Sequence, residues 1–208
     1  MMTDIVGIAI FAKAPIAGFA KTRLIPTLGP ERASQLQRQL IERTVETALA
    51  SKVGPVSVWY TPDRGHDVFT SLAAVHSIEF HRQSGADLGA RMLSAFEVLI
   101  PRHPLLVIGT DCPMLQPSHL IDCATSLRRG ADAVFLPTED GGYALVGLTK
   151  PVPLLFHNMP WSTEQVMSET RLRAHHARLG ISEPALVWDV DTKADYDRAV
   201  ASGLFDRQ

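Results

Sequence analysis

The sequence predicts a three-layer α/β/α sandwich built on a mostly parallel sheet, and three observations carry that expectation. Short apolar runs alternate with longer segments of helical periodicity along all 208 residues. The first run, Ile5–Ala12, is continuous in Val, Ile and Phe, as in a strand covered on both faces. Charged motifs follow directly after apolar runs, at the carboxyl ends of predicted strands, where open α/β sheets hold their ligands.

The elements follow in order. Pro30–Lys52 reads as a helix, because Leu36, Leu40, Val45 and Leu49 recur at near-helical spacing among Arg, Gln and Glu. Gly54-Pro55 stops it, and Pro55–Thr61 gives a second strand. A shorter helix over Asp67–Ala74 leads to a weak strand at Ile78–Arg82. Asp87–Leu99 is helical again, with Leu88, Met92, Phe96 and Leu99 along one side. Leu105–Gly109 is a short apolar strand, Pro117–Arg128 the next helix and Ala131–Leu136 the next strand. Gly142–Leu148 is a further strand beyond the turn Thr138-Glu-Asp-Gly-Gly. Thr163–Leu179 is helical, Ala185–Trp188 a short strand and Lys193–Ser202 a closing helix. No repeat, low-complexity run or linker divides the chain, so residues 1–208 are expected to form one domain.

Bulk composition narrows the function classes. With 46% hydrophobic and 20% charged residues, the chain has a soluble globular composition. A net charge of −2, with no basic stripe rich in aromatics, argues against nucleic acid and anionic membranes as partners. No run approaches the length of a membrane span, and no cationic segment precedes the first apolar run as in a signal peptide. Two cysteines, neither in a CxxC pair, suit a reduced cytoplasmic protein. Cys112 reads as a small packing residue, with no histidine nearby in sequence to activate it. The eight histidines show no metal-ligand spacing. Oligomeric state is not legible.

Three cations and a glycine, Lys13, Gly18, Lys21 and Arg23, share the loop after the first strand. Cations that close repel, unless an anion with several oxygens, such as a nucleotide phosphate chain, joins them. The alternative is a solvated basic loop. Asp111 follows the strand Leu105–Gly109 and can hold a hard cation such as Mg²⁺, which needs only one or two carboxylates beside phosphate oxygens. Its alternative is an Asx turn or helix cap before Pro113. Asp191, in Asp189-Val-Asp191, could reach the same cation, whereas Asp195 reads as the first turn of the last helix.

Six ordered segments carry a family resemblance: Phe11-Ala-Lys-Ala-Pro through Lys21-Thr-Arg-Leu24, Gly85-Ala-Asp-Leu-Gly-Ala-Arg-Met92, Gly109-Thr-Asp-Cys-Pro113, Glu139-Asp-Gly-Gly-Tyr143, Trp161-Ser-Thr163 and Asp189-Val-Asp-Thr192. Together they resemble the small bacterial glycosyltransferase-like family sometimes called selenodomain-associated transferases. That family has the GT-A, or nucleotide-diphospho-sugar transferase, fold, and the resemblance spans about Ile5 to Val200. It implies that Lys13, Lys21 and Arg23 cradle nucleotide phosphates, with Gly18 allowing close backbone approach. It also implies that Asp111 and Asp191 bind a divalent cation, Mg²⁺ or Mn²⁺. The chain departs from the pattern in two places. Lys193-Ala194 replaces the Pro-Glu of related synthetases, and one aspartate stands where many glycosyltransferases carry Asp-x-Asp.

The segment Gln83 to Arg91 opens a helix, and Gln83, Asp87 and Arg91 are candidates for base, ribose or phosphate contact. Its Gly85 and Gly89 serve equally well as turn and packing residues. Glu139, Asp140, Gly141 and Gly142 are the acceptor-side candidates, with Asp140 as general base; Asp-Gly is equally a hairpin signal. Trp161, Ser162 and Thr163 either line the acceptor pocket or cap the following helix.

These residues point first to a metal-dependent glycosyltransferase acting on a nucleotide-diphosphate sugar, with Lys21, Arg23 and the cation neutralising the departing diphosphate. The second expectation is nucleotidyl transfer. The first loop and Asp189-Val-Asp-Thr192 also resemble phospholactate guanylyltransferase, which implies a nucleoside triphosphate donor and pyrophosphate release. The third is a non-catalytic nucleotide-sugar binding module. In each case the partners are a nucleotide and a small molecule.

Overall fold

The computed structural model describes residues 5–205. Its seven strands are β1 Gly7–Lys13, β2 Val56–Thr61, β3 Glu79–Arg82, β4 Leu105–Gly109, β5 Ala133–Pro137, β6 Tyr143–Leu148 and β7 Ile181–Ser182. They lie in one sheet in the order β3-β2-β1-β4-β6-β5-β7. Only β6 runs against its neighbours, β4 and β5; every other pairing is parallel.

The helices are α1 Ile25–Leu28, α2 Pro30–Ser51, α3 Asp67–Val75, α4 Leu88–Leu99, α5 Pro117–Arg128, α6 Val166–His176 and α7 Lys193–Ala201. Apolar side chains of α2, α3 and α5 cover one face of the sheet, around Ile8, Ile10, Val58 and Ile108. Those of α4 and α6 cover the other, around Ala9, Val107, Phe135 and Val146. Strands buried on both faces read as unbroken apolar runs, which is why β1 and β4 were legible. A third cluster joins Leu36 and Leu40 of α2 to Trp188, Val190 and Ala199, so the end of the chain packs back beside the start.

Local chemistry sets the boundaries. Helix α2 begins with Pro30 in its first turn and ends where Lys52 turns left-handed, just before Gly54-Pro55. Asp87 caps α4, its carboxylate accepting from Ala90 N at 2.7 Å. Helix α6 is shorter than Thr163–Leu179 at both ends: residues 161–165 form turns and a bend, in which Thr163 donates to Pro160 O at 2.7 Å, and Arg178 turns left-handed at φ 53° beyond the last helical residue. The seventh strand lies earlier than Ala185–Trp188. Ile181–Ser182 pairs with Ala133–Val134, Pro184 offers no N–H to continue the ladder, and only Val187 returns to bridge Thr138.

The order places β1 between β2 and β4. The chain leaves β1 toward β2 on one side, while β4 flanks it on the other, which makes a topological switch point. Phe11 pairs with Gly109 there, so Lys13 and Asp111 emerge side by side from the carboxyl edge.

Candidate active site

At that edge the first-loop cations meet the aspartates. Lys21 adopts a left-handed backbone, φ 46° and ψ 47°, which turns its side chain back into the protein. Its ammonium lies 2.6 Å from Asp111 Oδ1 and 3.2 Å from Asp191 Oδ1, and it donates to Val190 O at 2.6 Å. The Lys21 side chain is 4% exposed, whereas those of Asp111 and Asp191 are 51% and 37% exposed. Burial alone would lower the Lys21 pKa, but the two carboxylates more than offset it and the net shift is upward. Arg23, largely exposed, donates to Asp191 Oδ2 at 3.2 Å.

Backbone pairing brings the distant Asp191 here. Val190 N donates to Asp111 O at 2.8 Å, tying the last segment to the end of β4. Asp195 then fixes that segment by accepting from Thr192 N at 2.7 Å and Asp191 N at 3.2 Å, the capping role its position predicts.

Two cavities flank the Arg23–Asp191 pair and share both residues. One, of about 240 Å³, is lined by Lys13, Phe19, Lys21, Thr110 and Asp111. The other, of about 290 Å³, is lined by Asp140, Gly142, Tyr143, Trp161, Ser162 and Thr163. A larger cavity, about 480 Å³, opens at the amino ends of the strands near Pro55, Glu79 and Arg102, away from every residue singled out above.

The predicted site residues divide accordingly. Lys13 lines the first cavity and donates to Phe19 O at 2.6 Å, holding the loop closed. Gly18 sits exposed at φ +81° and lines neither cavity. Gln83, Asp87 and Arg91 also line neither. Gln83 donates to Trp59 O at 2.8 Å, Asp87 caps α4, and Arg91 donates to Gly85 O at 3.2 Å. The structure thus gives this segment a local task in shaping the β3–α4 turn. Glu139 points the other way, into a bidentate pair with Arg198 at 2.7 and 3.1 Å that holds its carboxyl below the usual range.

Asp140 remains on the second cavity. Its Oδ1 accepts from Thr138 Oγ1 at 2.5 Å and from Gly142 N at 3.0 Å, the closed turn of the hairpin alternative. Gly141 is obligatory: at φ +89°, a Cβ would stand 2.1 Å from Glu164 O. Trp161 packs edge-on to Tyr143 and over Gly89, where a Cβ would meet the indole at 2.7 Å. Its Nε1 is buried without a partner among the described residues. Cys112 is buried, and its thiol is pushed up to about 12, which suits the packing role.

Asp189, which the sequence marks only as the first member of the Asp189-Val-Asp191 pair, also belongs here. Burial, followed by Asp140, Asp191 and Asp111, raises its carboxyl to about 6, so it belongs to the same acidic group. The Asp-x-Asp spacing in an extended run was the available signal. Gln37, which donates to Thr110 Oγ1 at 3.0 Å beside the first cavity, gave none.

A divalent cation fits this donor set. Asp111 and Asp191 are part-exposed hard oxygen donors of the kind Mg²⁺ takes, and the Lys21 ammonium between them offsets part of their charge. Among the described residues no group of three His, Cys, Asp or Glu side chains could hold a metal by itself, so a ligand's oxygens would have to complete the shell.

Comparison with known proteins agrees with the architecture. The family model described as "Uncharacterized protein conserved in bacteria (DUF2064)" matches residues 44–163. The chain is 30% identical over 189 residues to the phosphoenolpyruvate guanylyltransferase of Nocardia farcinica (strain IFM 10152), covering 88% of this chain and 81% of that one. A solved structure of a candidate nucleotide-diphospho-sugar transferase from Desulfovibrio desulfuricans G20 superposes with a TM-score of 0.85 at 26% identity, over 95% of this chain and 87% of that one. The 4-diphosphocytidyl-2C-methyl-D-erythritol synthase of Anaerococcus prevotii DSM 20548 shares the fold, with a TM-score of 0.64 at 11% identity over 98% and 100%. The fold is therefore nucleotide-diphospho-sugar transferase-like, and the relatives are transferases.

Proposed function

This chain belongs to the DUF2064 family of proteins conserved in bacteria, and on that premise we propose that it is a divalent-cation-dependent nucleotidyltransferase. The observation that carries the reading is the meeting of Lys21 and Arg23 with Asp111 and Asp191 at the switch point of the sheet. That meeting alone suits glycosyl and nucleotidyl transfer equally. Nucleotidyl transfer moves to first place because the relative aligned over 88% of this chain is a guanylyltransferase.

The reaction joins a phosphorylated small acceptor to a nucleoside triphosphate. An acceptor phosphate oxygen attacks the α-phosphorus, the bond from that phosphorus to the bridging oxygen breaks, and pyrophosphate leaves with the electron pair. Asp111 and Asp191 would hold the cation, which supplies charge neutralisation at the phosphates. Lys13 and Arg23, both exposed on the first cavity, would contact the phosphate chain and offset the charge gathering on pyrophosphate. The second cavity would seat the acceptor, with Trp161 as its apolar wall and Asp140, beside Gly142, at its rim.

A panel of nucleoside triphosphates, GTP first, with Mg²⁺ and phosphorylated acids or sugars, tests this by coupled detection of pyrophosphate. Acceptor-dependent pyrophosphate release is the expected result. Glycosyl transfer is the second reading, favoured by the description of the Desulfovibrio protein. It predicts instead that nucleotide sugars are consumed with release of a nucleoside diphosphate, helped by Asp140 as base. Turnover of any nucleotide excludes a purely binding module.

A further inference from the structure

We propose that Lys21 is a built-in counter-ion of the Asp111–Asp191 pair, which keeps the pair from retaining a divalent cation on its own and so makes cation binding depend on a ligand's phosphates. The proposal rests on the reading above, that this pair holds the cation. It differs from the sequence expectation that Lys21 itself grips phosphate.

Three geometric facts support it. The ammonium has three N–H donors, and it has three oxygen partners: Asp111 Oδ1 at 2.6 Å, Val190 O at 2.6 Å and Asp191 Oδ1 at 3.2 Å. No donor is left over for a phosphate. The side chain is 4% exposed and reaches the carboxylates from the protein side, through a left-handed backbone residue that directs it inward. Lys13 and Arg23, by contrast, are the exposed cations of the loop.

Electrostatics supplies the consequence. Lys21 lowers the charge of the pair from −2 to −1 and occupies one oxygen of each carboxylate, while Arg23 takes Asp191 Oδ2. A divalent cation arriving alone then meets a weak field and few free oxygens. A triphosphate adds both negative charge and oxygen ligands, so cation and nucleotide are retained together. Lys21 is thus a positioning residue, acting through Asp111 and Asp191.

The test is a titration of nucleotide-free protein with Mn²⁺, read as free Mn²⁺ by electron paramagnetic resonance. Lys21→Met is expected to bind Mn²⁺ at least about tenfold more tightly than wild type, and Lys21→Arg, which keeps the charge, within about threefold of it. Should the Met variant not fold, Lys21→Gln keeps hydrogen-bond donors without the charge and is expected to show the same gain. Unchanged Mn²⁺ affinity together with weaker metal-free nucleotide binding would overturn the proposal in favour of phosphate contact. Reduced Mn²⁺ affinity in the folded variants would overturn it in favour of a purely structural brace. Neither result depends on whether pyrophosphate is released, so failure here leaves the transferase reading standing.

Discussion

A lysine in a basic loop reads as a surface charge, yet Lys21 is among the most enclosed charged groups of this protein. Its partner Asp111 carries the first prediction. Asp111→Ala should abolish the gain in nucleotide affinity that Mg²⁺ or Mn²⁺ provides, measured by calorimetry; an undiminished gain would remove Asp111 from the cation site. The same change leaves the ammonium with Val190 O and a single carboxylate, Asp191, and should cost about 1–3 kcal/mol in denaturant unfolding. Asp189 carries the second. Its folded-state value near 6, above the ordinary 3.8, means that the folded protein holds this proton more tightly than the unfolded chain. The resulting stabilisation is complete below about pH 4 and is lost as pH rises through 6. In EDTA, Asp189→Asn should therefore raise the thermal midpoint at pH 8 and leave it nearly unchanged at pH 4. An equal shift at both pH values would show that loss of the Asp189 proton in its buried setting is not what matters.

At the scale of the element, the β5–β6 hairpin decides what faces the second cavity. The motif Glu139-Asp-Gly-Gly-Tyr143 sends two neighbouring carboxylates in opposite directions, Glu139 to Arg198 on α7 and Asp140 to the cavity. Glu139→Gln should consequently leave turnover unchanged, whereas Asp140→Asn should lower it. Gly141 holds the hairpin against the turn before α6, and Met167 N donates to Gly141 O at 2.8 Å. Gly141→Ala, strained in φ and blocked by Glu164 O, should destabilise by about 1–3 kcal/mol and raise KM for the acceptor more than for the nucleotide. A thermal midpoint equal to wild type would mean that the hairpin and α6 are not coupled in this way. The β3–α4 turn shows the converse. Gln83, Asp87 and Arg91 form a pattern that suggests nucleotide contact, and in the fold one polar atom of each side chain bonds to nearby backbone: Gln83 Nε2 to Trp59 O, Asp87 Oδ1 to Ala90 N and Arg91 Nε to Gly85 O.

For the whole molecule, the site is a property of strand order. Loops after β1 and β4 and the segment before α7 are far apart in sequence and meet only because β1 and β4 are neighbours and α7 packs back on α2. Binding of nucleotide with Mg²⁺ should slow amide exchange in residues 14–23, 110–113 and 189–192 and leave residues 53–56 and 102–105, at the opposite edge, unaffected; uniform protection would argue for global stabilisation instead. The succession of elements was legible from sequence, because apolar periodicity and Gly/Pro breaks act locally and Leu105–Gly109 and Pro117–Arg128 needed no distant partner. The placement of a cation-rich loop and an aspartate at strand ends was legible for the same reason. Direction and partnership were not. That β6 runs antiparallel, that Ile181–Ser182 rather than Ala185–Trp188 forms the edge strand, and that Lys21 turns inward while Arg23 stays outside all depend on which segments of the chain lie alongside. Local sequence sets the conformation of a segment, but the pairing of its polar groups is settled by residues that only the folded sheet brings within hydrogen-bonding distance.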